Sequence, residues 1–436
     1  VLAALGNQNK ESNVPEATYR TDDVFGISRE LPLNYQERDS ADKVFVDSLS
    51  RDRHLVIYGS SKQGKTSLRK HCLKEEDYIT VHCSNKWMLD DLHSAILKKC
   101  GFEITLSNTK STSGKHKIFA SITANIFGSG AAGGAESARE EGQEIETQPL
   151  ELEPEDVNDI ISALESIKFN KFIVLEDFHY LPVETQKDFS VALKAFHENS
   201  GICFIIVGVW LEENRLSVYN GDLTGRVLSV DADKWERHEL EEVINSGSAL
   251  LKVNFSDKFK NDLLSSCFNS VHIVQEACHR CCVESGIYNT QNEVKYIGEN
   301  SDAKAIVKDV VNQQSGRFNS FITQFADGFQ ATELEMHRWI LYPVLVGDTN
   351  DLNFGLRQKD IRDTLREKHP RSDSLNQGNV TQALQSSAAL QIKKDIKPMV
   401  LDYDQTNLRL NVVDRSFLIW LDNQNRDELI AIAGLD

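Results

Sequence analysis

The stretch Gly59-Ser60-Ser61-Lys62-Gln63-Gly64-Lys65-Thr66 constrains this chain more than any other part of it. It fits the phosphate-loop pattern G-x-x-x-x-G-K-[ST] at every fixed position. Its flanks fit as well. His54-Leu55-Val56-Ile57-Tyr58 upstream reads as a buried strand, and Ser67-Leu68-Arg69-Lys70-His71-Cys72-Leu73 downstream reads as a helix. Strand, glycine loop and helix are what polyphosphate binding needs. Unpaired backbone N–H groups at a helix N-terminus, with the helix dipole behind them, favour an anion. The pattern therefore predicts a nucleoside triphosphate lying along Gly59 to Ser67. Lys65 would reach the β- and γ-phosphates, and the Thr66 hydroxyl would join a Mg²⁺ shell.

The chain has 436 residues, enough for two to four domains. Hydrophobic residues make up 40% and charged residues 26%, an ordinary globular balance. A net charge of −18 argues against wrapping nucleic acid with the whole surface and leaves a local basic patch open. No apolar run approaches the ~20 residues of a membrane span. Val1-Leu2-Ala3-Ala4-Leu5 is too short for a secretory core, and the missing initiator Met leaves an upstream domain open. Of eight cysteines, Cys278, Cys281 and Cys282 cluster, but Cys267 and His272 do not complete a zinc spacing with them. Reduced, buried thiols and a cytoplasmic location are expected.

Five apolar runs follow at α/β spacing: 55–58, 78–83, 172–175, 203–207 and 227–230. Helical stretches such as 89–99, 157–167 and 184–197 lie between them. The expected fold class is α/β: a three-layer αβα parallel sheet of the P-loop type, then a helical domain, then a winged helix. The expected division is a flexible tail at 1–22, the P-loop core at 23–235, a helical domain at 236–300, a linker helix at 301–330 and a winged helix at 331–436. The core carries an insertion at 103–156, rich in Ser, Thr, Gly and Glu, with Gly128 to Gly134 at its centre and many carboxylates from Glu136 onward. It is either a solvated surface insertion or an interaction loop that orders on assembly.

Phe172-Ile173-Val174-Leu175-Glu176-Asp177 is an apolar strand ending in two carboxylates. One carboxylate would order Mg²⁺ and its neighbour would polarise the attacking water. By position Glu176 goes to the metal and Asp177 to the water, and the reverse assignment stays open. His179 reads as a packed residue rather than a catalyst.

This order of strands and acidic pair resembles the AAA+/STAND branch of P-loop ATPases, which includes origin-recognition and loader-type members. Tyr35-Gln36-Glu37-Arg38-Asp39 resembles the short motif that the family places near the adenine, which implies nucleotide contacts for Tyr35 and Arg38. Gly221-Asp222-Leu223-Thr224-Gly225-Arg226 resembles the stretch that ends in an arginine finger, which implies that Arg226 acts across a subunit boundary. Trp235 to Gly247 resembles the start of the helical lid. The resemblance covers roughly residues 24–300. It departs at two places. Val207-Gly208-Val209-Trp210 has no polar γ-phosphate sensor, so Asn214 or Arg215 would have to substitute. The lid stretch Asn269-Ser270-Val271-His272-Ile273 lacks both a Gly-x-Pro turn and an arginine. Slow, assembly-dependent ATP hydrolysis is the implied activity.

The C-terminal order is helix 333–346, helix 357–368, helix 377–390, then strands 399–403 and 408–412 about the turn Asp404-Gln405-Thr406-Asn407. The third helix offers Asn376, Gln377, Asn379, Thr381, Gln382 and Gln385 for base contacts, with Arg371, Lys393, Lys394 and Lys397 as the nearby cations. Several aspartates offset those cations, which favours a protein-contacting or autoinhibitory role. Two functions are therefore weighed. One is an ATP-dependent switch controlling oligomerisation or an effector partner, in signalling or prokaryotic defence by family analogy. The other is a nucleic-acid-binding initiator, loader or transposition regulator. A nucleotide-binding scaffold without turnover is the bland alternative. The sequence does not choose ATP over GTP, although no Asn/Thr-Lys-x-Asp base-reading motif is present.

Overall fold

The computed structural model describes residues 17–26, 30–110, 116–122 and 149–435. Its centre is one parallel sheet of β1 (His54–Tyr58), β2 (Tyr78–His82), β3 (Phe172–Glu176), β4 (Phe204–Val207) and β5 (Val227–Asp231). The order across the sheet is β2-β3-β4-β1-β5. Every residue of β1 is buried because strands flank it on both edges and helices cover both faces. Alternation along the strand divides its side chains between the two faces. Val56 and Tyr58 join the core under Leu92, Ile160 and Phe189, whereas Leu55 and Ile57 join the one holding Phe45 and Leu68. The strand after β1 in the chain lies at the far edge of the sheet. The chain thus reverses direction beside β1, and such a switch point opens a crevice at the carboxyl ends of the strands. Helix α1 (Lys65–Cys72) starts there.

The insertion is not all solvated surface. Phe102–Lys110, His116–Ile122 and Leu150–Leu152 form a separate antiparallel sheet. Phe102, Ile118, Ala120 and Leu152 are buried in the core of the main sheet's face. Apolar alternation across paired strands gives these residues a face to bury. The glycine stretch 128–134 and the carboxylate run up to residue 148 lie outside the described residues, as do 123–127.

Residues 1–16 of the expected tail also lie outside the described residues, but its end is anchored. A short helix, Thr21–Val24, packs on the helical domain. The Thr21 hydroxyl donates to the Ile287 carbonyl at 3.0 Å, and Phe25 meets Phe255 edge-on in the helical core.

Helices α2 (Arg237–Leu251) and α3 (Val271–Glu284), with Asp257–Ser266 between them, follow the sheet domain. Residues 301–330 form two helices, Ala303–Asn312 and Ser315–Ala326, rather than one connecting helix. Their apolar stripes (Val307, Val310, Phe318 and Phe321) are buried in a core continuous with the C-terminal module. That module contains helices Met336–Val346, Gln358–Lys368, Gln377–Gln385 and Ser387–Lys393. Its antiparallel sheet runs Leu356–Arg357, Arg409–Val412, Leu401–Asp404 in space. The stretch expected as one helix over 377–390 breaks at Ser386, whose hydroxyl bonds back to the Gln382 carbonyl and also pairs with His337. Among the described residues, no helix is long and apolar enough to cross a membrane.

Candidate functional site

The phosphate loop leaves β1 with a glycine that the geometry requires. Gly59 has φ +143°, and a Cβ there would lie 2.9 Å from the Asp233 nitrogen. Gly64, at φ +84°, turns the chain into α1. The loop borders a cleft of about 360 Å³. Ser61, Lys62, Gln63, Gly64, Lys65, Thr66 and Ser67 line it, together with Glu176, Asp177 and His179 from the end of β3. Gly59 and Ser60 stand behind this wall. The Ser60 N–H donates to Asp233 Oδ1 at 2.7 Å.

Charge is concentrated at this end of the cleft. Lys65 Nζ donates to the carbonyls of Gly59 and Ser60, at 2.9 and 2.5 Å. Burial lowers its ammonium to about 8, against the opposing pull of Asp233, Glu176 and Asp177. Glu176 is buried, and Arg69 Nε of α1 donates to its Oε1 at 3.0 Å. Burial raises the Glu176 carboxyl and Arg69 opposes the rise. Asp177 adopts a left-handed backbone, φ 59°, which turns its carboxylate out of the strand. Its side chain is half-exposed, with His82 Nδ1 at 4.0 Å. The loop therefore faces one buried carboxylate clamped by a guanidinium and one that is half-exposed. The Thr66 hydroxyl and both carboxylates line the same cleft and form an all-oxygen donor set, the kind that suits a hard cation.

Three other segments brace the loop. From α3, His272 Nε2 lies 3.1 Å from Lys62 Nζ, and the Val271 N–H donates to Gln63 Oε1 at 3.3 Å. Burial lowers His272 to about 3, with the Lys62 charge adding to the effect. The neutral ring thus serves as acceptor for Lys62. Trp235 Nε1 donates to the Gln63 carbonyl at 3.3 Å. From the C-terminal module, the Val413 carbonyl accepts the Ser61 N–H at 2.8 Å. Arg415 pairs with Asp233, the residue that holds Ser60. Burial pushes the Asp233 carboxyl up, but Arg415 and Ser60 more than offset it and leave it below the usual range.

The family-implied residues are placed unevenly. Tyr35 lines the cleft, stacks on His71 at 4.5 Å and donates to Asp42 at 2.6 Å. Arg38 does not line it. Its guanidinium is buried over the Trp235 ring at 4.0 Å and donates to the carbonyls of Ala232 and Lys234. Arg38 therefore shapes the cleft wall from behind. Val207, Gly208 and Val209 reach the cleft, while Arg215 turns away to Asp402 of the C-terminal module. Arg226 precedes β5, at the end of the sheet opposite the phosphate loop, and pairs with Glu198 at 2.7 Å. It does not meet its own chain's cleft.

A solved structure has a similar architecture. The Walker-type ATPase of Pyrococcus abyssi superposes with a TM-score of 0.52 at 12% identity, over 91% of this chain and 99% of that one. The chain has a Walker-type ATPase fold. The Aeropyrum pernix ORC2 protein, in ADPNP–ADP complexes, is similar at TM-score 0.42 and 12% identity, over 90% of this chain and 91% of that one. The Aeropyrum pernix ORC1 protein in complex with DNA is similar at TM-score 0.42 and 8% identity, over 95% and 98%. Those two likenesses are looser. No family model and no curated protein matches the sequence.

Within this ATPase fold, the residues that spacing alone misses are Arg69, Asp233 and Arg415. Arg69 lies one helical turn after Thr66, on the buried side of α1, which is the only local hint of its role. Asp233 and Arg415 are 182 positions apart, and nothing in either neighbourhood marks them as a pair.

Proposed function

We propose that this chain is an ATP- and Mg²⁺-dependent switch of AAA+/STAND type, in which a C-terminal winged helix docks on the phosphate loop. The Ser61–Val413 bond carries this reading, with Asp233 bridging Ser60 to Arg415 beside it. A change of loop shape on nucleotide binding would be felt directly by the docked module. Nucleotide that binds the docked and released states unequally then shifts their populations.

Each residue has a task in this scheme. The amides from Gly64 to Ser67 and the Lys65 ammonium hold the phosphates. Thr66 and Glu176 would hold Mg²⁺, which neutralises phosphate charge when bound. Asp177, the more exposed carboxylate, would orient the attacking water. Arg226 would come from a neighbouring subunit, because its own chain keeps it at the opposite end of β5. Hydrolysis is then slow in the isolated chain and contingent on assembly. The output, in signalling or defence, would pass to an identical copy or an effector chain.

Light scattering with and without a non-hydrolysable ATP analogue tests the switch, the expectation being a nucleotide-dependent mass or radius. Calorimetry showing no heat for ATP with Mg²⁺ would end this reading.

Exposed Gln382 and Gln385 on the third module helix favour a second reading, in which the winged helix contacts DNA. The cations that would position phosphates are engaged within the chain. Arg371 pairs with Glu333, Lys394 with Asp327 and Lys397 with Asp395, while Lys393 sits over the Phe329 ring. Asn376 and Asn379 cap each other. DNA binding that weakens steeply with salt would favour this second reading over the first.

A further inference from the structure

We infer that His179 donates a hydrogen bond to the terminal phosphoryl group of the bound nucleotide, a contact that the end of β4 cannot supply. This rests on the triphosphate reading proposed above and gives a catalytic task to a residue whose sequence position suggested packing.

In the sheet, β4 lies between β1, which leads into the phosphate loop, and β3, which ends at Glu176. Adjacent strands are about 5 Å apart, so a tail reaching from the loop toward the two carboxylates passes over the end of β4. No polar side chain of β4 meets it there. A Cβ on Gly208 would overlap the buried Trp210 indole, so that position stays bare. Val209 packs with Ile392, Met399 and Val413. Arg215, further along the chain, is committed to Asp402.

His179 comes from the neighbouring strand. It sits in the turn Phe178–Tyr180 directly after β3, and that turn packs on β4. The backbone is fixed there. Phe178 and Leu181 are buried in the core under the sheet, and Gln186 Nε2 donates to the Leu181 carbonyl at 2.8 Å. His179 is 3% exposed and lines the cleft with Lys65, Glu176 and Asp177. Neither of its ring nitrogens has a hydrogen-bond partner among the described residues. Buried polar side chains are rarely left unpaired, so a ring held in this way points to a ligand. In either protonation state the ring carries at least one N–H, and an ionised phosphoryl oxygen can only accept. A donor fixed at this place meets the equatorial oxygens, where charge is spread in the transition state. The ring transfers no proton. The water oxygen bonds to the γ-phosphorus, the bridging oxygen departs with ADP, and Asp177 takes the water's proton.

The test compares wild type with His179→Leu, which removes the donor, and with His179→Asn and His179→Gln, which place an amide N–H near one or other ring nitrogen. Calorimetry of the full chain with Mg²⁺ measures ADP and a non-hydrolysable ATP analogue, and phosphate release from ATP gives kcat and KM. His179→Leu is expected to lower the analogue-to-ADP affinity ratio roughly tenfold, the scale of one hydrogen bond to a charged group. Its kcat should fall on the order of 10²-fold, as for loss of one transition-state donor, with a smaller rise in KM. At least one amide variant should recover most of both effects. A packing role would move ADP and analogue affinity together, with no recovery by an amide, and that result overturns the inference. Nitrogen NMR of the histidine rings reads the wild type directly. A resonance absent from His179→Asn should shift with the analogue and not with ADP. No difference between the two ligands overturns the inference and leaves the switch reading standing. Absence of ATP binding by folded wild type with Mg²⁺ overturns both.

Discussion

Arg215 and Asp402 meet across the boundary between the sheet domain and the C-terminal module, Nη2 to Oδ2 at 2.5 Å, with both side chains buried. Arg215 follows the loop whose Val207, Gly208 and Val209 line the cleft, and Asp402 lies in the hairpin strand that pairs with Arg409–Val412. The same boundary holds Val209 against Ile392, Met399 and Val413. Glu212 adds a contact to the hairpin turn by accepting from the Thr406 hydroxyl at 2.7 Å. The cleft and the module therefore share one packed seam.

Breaking that seam from one side should be costly. Asp402→Asn leaves the buried Arg215 guanidinium with Glu212 at 3.5 Å as its remaining carboxylate. A loss of roughly 1.5–3 kcal/mol is expected, because the guanidinium loses its nearer charged partner and keeps only Glu212. Urea unfolding measures it. The triple variant Arg215→Met/Asp402→Leu/Glu212→Gln should recover most of the loss, since it removes the guanidinium together with both of its carboxylates while the new amide can still accept from Thr406. A triple variant as unstable as Asp402→Asn would show that packing, not charge, holds the seam.

The acidic pair should separate binding from turnover. Asp177→Asn is expected to lower ATP hydrolysis roughly 10²–10⁴-fold with little change in nucleotide affinity, as for loss of a general base. Glu176→Gln should weaken the Mg²⁺-dependent part of binding as well. Lys65→Ala should abolish tight binding. Steady-state phosphate release alongside calorimetry distinguishes the three, and equal affinities and rates for wild type and Asp177→Asn would remove that residue from the chemistry.

For Arg226→Ala the expected signature is concentration dependence. Dilute protein should hydrolyse ATP at the wild-type rate, because the residue does not meet its own cleft. At concentrations where wild type assembles, the variant should lose the accelerated phase, on the order of 10³-fold if the arginine acts as a finger. Full acceleration in the assembled variant would assign Arg226 to its surface pairing with Glu198 alone.

Acid should destabilise the fold through buried histidines. His54 Nε2 donates to the Leu193 carbonyl at 2.9 Å and Nδ1 accepts the Phe204 N–H at 3.2 Å, a neutral ring with both nitrogens used. Burial lowers it from 6.5 to about 4. Its folded value lies below its unfolded one, so the unfolded chain binds the extra proton in between. The contribution is complete above pH 6.5 and is lost as pH falls toward 4, by roughly 1.4 kcal/mol per unit. His93, which donates to the Pro154 carbonyl, is lowered to about 4 by burial as well and adds a similar slope. Urea unfolding at pH 7 and pH 5 should show the His54→Gln variant losing roughly 2 kcal/mol less than wild type over that interval. Parallel losses in both proteins would contradict the assignment.

The sheet was legible because its signals are local. Each strand is a short contiguous apolar run, and glycines at Gly59 and Gly64 mark the turn that a phosphate loop needs. Apolar periodicity found the helices too, but not the break at Ser386 or the two helices in 301–330, where a side-chain bond or a shared core decides the outcome. Arg38 shows the limit of motif reading. Its neighbours place it near the cleft, yet its side chain turns behind Trp235.

By itself, then, the sequence determined a P-loop α/β core with an acidic strand end opposite the loop, since loop, strand and helix are each written in consecutive residues. Tertiary structure alone decided what surrounds them. Arg69 finds Glu176 across 107 positions, Asn34 finds Gln275 across 241, and Arg215 finds Asp402 across 187. No local pattern encodes such pairs, because buried polar groups take whichever partner the packing of distant segments brings within hydrogen-bond reach.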